Sequence, residues 1–170
     1  MEYLLSIDAS TKKTGYSIID IDSLELMGYG VITELEKDKE GREHRRERII
    51  AMAMSLSEII DKYNPSVIVQ EDVPPALQNS DTVLALGVLQ GAIMYMASLH
   101  NISVNFISVS TWHSALGILK SKGDLKKQSI EWANNKYGID LIYKSPSSKF
   151  NQDDIADAIC IGSYYYCIYH

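Results

Sequence analysis

A chain of 170 residues with 46% hydrophobic content has the size of one ordinary globular domain and enough apolar material for a real core. Its net charge of −6 speaks mildly against a nucleic-acid partner, although the distribution of charge matters more than the total. We expect no stretch that spans a bilayer, no leader peptide and a cytoplasmic protein without membrane contact.

Taken in chain order, Tyr3 to Asp8, Gly15 to Asp20 and about Leu24 to Thr33 read as three strands joined by short turns, hence an antiparallel meander. Glu40 to Tyr63 reads as an amphipathic helix, with Ile49, Ile50, Met52, Ala53, Leu56, Ile59 and Ile60 on its apolar side. Asn64-Pro65 stops it. Val67 to Gln70 is a short buried strand, followed by Pro74-Pro75 in a loop. A long apolar helix from about Ser80 to Leu99 is capped by Ser80 or Asp81. Ile102 to Val109 is the fifth strand. A short helical piece near Thr111 to Leu116, a Lys/Gly loop, a helix from Asp124 to Tyr137, a polar loop and a helix from about Gln152 to Tyr169 complete the chain. The expected fold is α/β in one domain over residues 1–170: a five-stranded mixed sheet, three antiparallel strands then two parallel, flanked by helices. That is the ribonuclease H-like order.

Acidic residues fall at telling places in this pattern. Asp8 ends the first strand, Glu71 follows the apolar strand VIVQ, and Asp153, Asp154 and Asp157 open the last helix. Each also has a purely structural explanation. Asp8 suits an Asx-turn, and Asp153 or Asp154 suits the positive end of a helix dipole. Glu71 is harder to explain that way, because a strand apolar on both faces is internal and its end abuts a crevice. Asp157 lies deeper in an apolar helix, where an unpaired charge is costly. Asp154 and Asp157, or Asp153 and Asp157, can share a helix face. Such a set suits phosphodiester hydrolysis, in which two Mg²⁺ ions held by carboxylates supply a hydroxide and neutralise the attacking and leaving oxygens.

Other residue types point nowhere as clearly. Cys160 and Cys167 are spaced wrongly for a compact zinc site and read as a packed pair of reduced thiols. His44, His100, His113 and His170 form no ligand-spaced pair. Positive charge clusters at Lys12 and Lys13, at Lys37, Lys39, Arg42, Arg45, Arg46 and Arg48, and at Lys120, Lys122, Lys126 and Lys127, with Lys136, Lys144 and Lys149 beyond. A solvated helix face explains the arginine run equally well. Should the partner be DNA, Lys12, Lys13, Arg45, Arg46, Lys120, Lys122, Lys126 and Lys127 are the expected phosphate contacts. Asp124 as an N-cap places Lys126 and Lys127 in a first helical turn, where cations oppose the dipole; a phosphate held there accounts for them.

Four segments in this order, IDASTKKTGYSII, VIVQED, NSDTVLALGVLQGAI and DDIADAICIG, resemble the RuvC-type Holliday-junction resolvases of the ribonuclease H-like superfamily, above all the compact versions carried by bacteriophages. The resemblance implies a catalytic, metal-binding set of Asp8, Glu71, Asp154 and Asp157, with Asp153 beside it and Lys126 as a basic active-site residue. It implies Mg²⁺ dependence (with Mn²⁺ able to substitute), a homodimer, and paired nicks across four-way junctions in a bacterial cytoplasm. Any helper protein is left unnamed. The apolar helix around Val83 to Met96, with Gly87 and Gly91 one turn apart, is the expected dimer contact. Two departures stand out. Trp112-His113 occupies a segment where the family usually offers a lysine, and Asp72-Val73-Pro74-Pro75 lacks the aromatic that follows the catalytic Glu in the bacterial enzymes. Substrate choice is therefore expected to be loose, extending to forks and three-way junctions. The rival readings are an actin-like ATPase or sugar-kinase lobe, suggested by Asp8-Ala9-Ser10-Thr11 with Thr14-Gly15, and a junction-binding protein that does not cut.

Overall fold

A computed structural model describes residues 2–10, 12–33, 42–73 and 80–169 of the chain. Its elements run β1 (Tyr3–Asp8), β2 (Lys13–Asp20), β3 (Leu26–Thr33), α1 (Arg42–Tyr63), β4 (Val67–Glu71), α2 (Ser80–Leu99), β5 (Ser103–Ile107), α3 (Val109–Ala115), α4 (Leu125–Tyr137) and α5 (Asp153–Tyr169), with a 3₁₀ turn at Lys120–Lys122. The strands form one sheet in the order β3-β2-β1-β4-β5. β2 pairs antiparallel with β1 and β3, while β4 pairs parallel with β1 and β5. Short turns suffice for the meander; the parallel pairs need crossovers, which α1 and α2 provide. The expected five-stranded mixed sheet is the one found.

Strand alternation divides the core between two faces. Leu5, Ile7, Ile18 and Ile68 point to one side and pack with Met52, Leu56 and Ile60 of α1 and Leu89 and Ile93 of α2. Leu4, Val67, Val69 and Ile107 point to the other and meet Trp112 of α3 and Cys160, Ile161 and Tyr164 of α5. A further cluster joins Ile130 and Ala133 of α4 to Ile155, Ala156 and Ile159 of α5.

α5 lies unusually close to the sheet, and its sequence explains how. A methyl at Gly162 would stand 2.6 Å from Ser6 Oγ and 2.9 Å from Ile19 Cδ1, and one at Gly15 would collide with the Asp154 carbonyl. Ser6 Oγ donates to the Ala158 carbonyl at 2.7 Å and lies 2.6 Å from Ser17 Oγ. Small side chains on both surfaces bring a helix onto strands nearly backbone to backbone.

Boundaries differ from expectation where local bonding decides them. β5 stops at Ile107 because its partner β4 ends at Glu71, opposite Ile107; Ser108 is already the extended residue that opens α3. β3 begins at Leu26, since Leu24 is left-handed (φ 62°) in a turn closed by Asp20, whose Oδ1 accepts from the Asp22 and Ser23 amides. The start at Glu40, Lys37, Lys39 and Pro74-Pro75 lie outside the described residues.

Two expectations need correction. Residues Asp81–Leu99 are long and apolar enough, by length and composition, to cross a membrane; the single Asp at the start and the absence of any later charge give that result. In this fold the stripe Ala85, Leu89, Ile93 and Ala97 is buried against the sheet and α1. Cys160 and Cys167 are not a packed pair: Cys160 is buried and Cys167 exposed.

Candidate active site

Parallel pairing of β1 and β4 sets Ile7 opposite Gln70, so the next residues, Asp8 and Glu71, leave the sheet side by side. Alternation also fixes the face on which they do so. Ser6 bonds to α5 and Val69 packs beneath it; two residues on, Asp8 and Glu71 take the same side. Glu71 is held twice. Its Oε2 accepts from Trp112 Nε1–H at 3.2 Å, and its carbonyl accepts from Gln90 Nε2 at 3.0 Å.

The start of α5 completes the group. Because β2 carries Gly15 opposite Asp8, the Asp154 backbone settles directly on that strand, and the first turns of α5 overhang the ends of β1 and β4. Asp154 Oδ2 lies 2.8 Å from Lys13 Nζ, and Asp153 Oδ2 lies 2.6 Å from Lys126 Nζ. Lys126 reaches Asp153 from the first turn of α4, whose cap is the expected one: Asp124 Oδ1 accepts from the Lys126 amide at 3.1 Å.

Burial and mutual repulsion dominate the electrostatics here. Burial raises the Asp8 carboxyl well above its ordinary range, and the charges of Asp157, Glu71, Asp154 and Asp153 raise it further. Asp157 is pushed up to about 7, first by burial and then by Glu71, Asp153 and Asp154, with the nearby Ser129 hydroxyl opposing the shift. Nevertheless Ser129 Oγ and Asp157 Oδ1 are both buried without a hydrogen bond of ordinary geometry. Burial also raises Glu71, and the Trp112 bond pulls it back. Lys126 is raised, chiefly by its bond to Asp153.

A divalent cation suits this donor set in type and charge. Carboxylate oxygens are what hard cations take, Asp157 Oδ1 lacks a partner, and the crowded negative charge calls for a counter-ion. Among the described residues no three or more His, Cys, Asp or Glu side chains are already placed to hold a metal ion together. Lys13 and Lys126 instead hold cationic positions on Asp154 and Asp153.

The acids thus converge as expected from the sequence; the basic residues do so only in part. Lys13 and Lys126 join them. Arg45 and Arg46 line a groove of ≈570 Å³ between α1 and α2, with Ile49, Ile50, Leu84 and Val88, and Arg45 is 3.3 Å from Asp81. Lys122 Nζ donates to the Gly117 carbonyl, Lys127 pairs with Glu131 at 3.5 Å, and Lys12 and Lys120 are exposed. His113 packs edge-on against Trp112, and burial lowers its pKa. Trp112 escaped the sequence reading as a support for Glu71, and Lys13 as a second lysine among the acids. Gly15 did leave a signal, since glycine inside a strand marks close backbone approach.

Comparison with known proteins bears on this arrangement. Residues 4–163 match the family model described as crossover junction endodeoxyribonuclease RuvC. The RuvC of Shewanella sp. (strain W3-18-1) is 28% identical over 172 residues, covering 100% of this chain and 88% of that protein. Thermus thermophilus RuvC in complex with Holliday junction substrate aligns with a TM-score of 0.74 at 14% identity, covering 99% of this chain and 97% of that one. The fowlpox virus Holliday junction resolvase gives 0.61 at 15% identity, over 98% and 99% of the two chains. These structural likenesses establish the ribonuclease H-like fold, and with a family model that spans nearly its whole length, the chain belongs to the RuvC family.

Proposed function

We propose that the protein is a metal-dependent DNA endonuclease, a single catalytic domain that resolves Holliday junctions by paired nicks. The observation that carries this reading is the gathering of Asp8, Glu71, Asp154 and Asp157 from β1, β4 and α5 at one end of the sheet, with an unpartnered buried oxygen on Asp157. Asp8, Glu71, Asp154 and Asp157 would hold Mg²⁺ or Mn²⁺. Bound there, two such ions supply a nucleophilic hydroxide and neutralise charge on the oxygens of the phosphodiester. Trp112 and Gln90 keep Glu71 in place, and Gly15 keeps Asp154 over Asp8. Lys126 and Lys13 neutralise Asp153 and Asp154 and would meet an incoming phosphate there.

Paired nicking calls for two active sites related by a two-fold axis. We infer that α2 forms the contact. Leu84, Val88, Met94 and Tyr95 are exposed, and methyls at Gly87 and Gly91 would meet nothing within 4 Å, so the outer face of α2 is apolar with room at its centre. The substrate range extends to forks and three-way junctions, since phosphate contacts read geometry and charge but not sequence. The test is cleavage of synthetic four-way junctions, three-way junctions and forks. Symmetric nicks with Mg²⁺ or Mn²⁺, and binding with little cutting in Ca²⁺, are expected. Full activity in excess EDTA would refute the metal reading, and metal-independent binding without nicks would make the protein a junction binder.

A further inference from the structure

Residues 139–152, between α4 and α5, have no regular secondary structure yet are bonded along nearly their whole length. The Leu141 amide and carbonyl both bond the Asn134 side chain, at 2.7 and 3.0 Å. Gln152 Oε1 accepts from the Ile142 amide at 2.8 Å, and Tyr143 OH donates to Asp124 Oδ2 at 2.5 Å. Buried Asn151 spans the loop, accepting from the Lys144 amide at 2.9 Å and donating to the Ser145 carbonyl at 2.8 Å. A loop fastened in this way presents its side chains from fixed positions.

What it presents is Phe150, 61% exposed, with Lys144 Nζ 4.6 Å and Lys149 Nζ 5.4 Å from the ring centre. A single exposed apolar side chain is ordinary; three further features set this one apart. Both cations lie within cation–π range of the ring. The frame around it is rigid. Its neighbour Asn151 accepts, through its carbonyl, from Lys13 Nζ at 3.4 Å, the same ammonium that pairs with Asp154. The backbone that carries the ring is therefore joined to the acid cluster through one lysine. An aromatic ring with ammonium groups over it suits a nucleotide, the base displacing a cation from the ring face and the freed cation taking the phosphate.

We propose that Phe150, flanked by Lys144 and Lys149, is a base-stacking residue that holds a nucleotide beside the phosphate to be cut. This rests on the DNA-cleaving reading of the acids. It places an aromatic platform on the α5 side of the site, whereas the segment after Glu71 (Asp72-Val73-Pro74-Pro75) has none. Stacking accepts any base, so Phe150 favours unstacked nucleotides at branch points without imposing a sequence.

The test is a cycle between protein and substrate. Junction affinity in Ca²⁺ and single-turnover cleavage in Mg²⁺ are measured for wild type, Phe150→Ala and Phe150→Trp, on an intact junction and on junctions with one abasic position on either side of the mapped cut. Phe150→Ala is expected to lose about tenfold in affinity or rate while its melting temperature holds, and Phe150→Trp to retain both. At one abasic position wild type should lose a similar factor and Phe150→Ala nothing more. Equal performance of Phe150→Ala and wild type on the intact junction, or losses that multiply at every abasic position, would overturn the stacking role while leaving the nuclease intact. A wild type that neither binds nor cuts junctions would remove the nuclease reading and this proposal together.

Discussion

Gly162 in α5 and Gly87 and Gly91 in α2 occupy helices of similar apolar character, yet a methyl would meet opposite surroundings. At Gly162 it would press on Ser6 and Ile19; at Gly87 and Gly91 it would meet nothing within 4 Å. α5 is buried along most of its length and spends that closeness on geometry, since only a helix lying on Gly15 and Ser6 can hold Asp154 and Asp157 over Asp8. α2 buries one stripe and leaves Leu84, Val88, Met94, Tyr95 and Leu99 exposed. Apolar composition alone therefore does not tell a helix packed along its length from one with an exposed apolar face; where the small residues point does.

The largest effect expected from breaking this contrast is on chemistry. Asp8→Asn, Glu71→Gln and Asp157→Asn should each lower junction cleavage on the order of a thousandfold, with binding in Ca²⁺ retained. Retention of more than about a tenth of wild-type rate by any of them would contradict the shared site. Next in size is packing. Gly15→Ala sets a methyl against backbone and should destabilise by ~3 kcal/mol, and Gly162→Ala, against side chains, by ~1–2 kcal/mol, both read from urea unfolding. Wild-type stability in either variant would mean that α5 does not sit as closely as described.

A smaller effect follows from the raised carboxyls. Asp157, at about 7 when folded, lies above its unfolded value. Its contribution to stability is thus fully present below about pH 4 and lost as pH rises through 7. Without metal, the protein should lose at least ~2 kcal/mol between pH 5 and 8, and Asp157→Asn should make the fall shallower, with Asp8 and Glu71, which are also raised, supplying the rest. A wild-type curve that rises over that interval would reverse the assignment. Smallest of all, Gly87→Ala and Gly91→Ala should each stabilise the monomer by ~0.5–1 kcal/mol through helix propensity while weakening self-association in sedimentation. Unchanged association would move the dimer contact off α2.

Much of this was legible in the sequence because local pattern and tertiary role coincide. The unbroken apolar run at the start of VIVQ announced a strand buried on both faces, and that burial makes the acidic end at Glu71 informative. The spacing of Asp154 and Asp157 needed only a helix to bring them together. Long-range partners left no periodic trace. Trp112 reaches Glu71 across 41 positions and Lys13 reaches Asn151 across 138, so neither pairing follows from spacing. The basic residues were the least legible. Charge clusters in sequence say little about which ammonium groups face one point, and Arg45 proved to face Asp81. Phe150 escaped attention because its meaning depends on how residues 139–152 are fastened, which single residue types in a polar loop do not reveal.

Metal binding tests the central claim most directly. Mn²⁺ titrated calorimetrically into metal-free wild type and Asp157→Asn, in buffers of different ionisation enthalpy at pH 7 and 8.5, reports affinity and proton release together. Saturable binding to wild type is expected, weakened at least tenfold in Asp157→Asn. Proton release should be larger at pH 7 than at pH 8.5, because burial and neighbouring charge raise the Asp157 carboxyl and it must ionise to bind the ion. Equal affinity in the two proteins, or binding with no proton release at pH 7, would contradict the claim that these acids form one metal site.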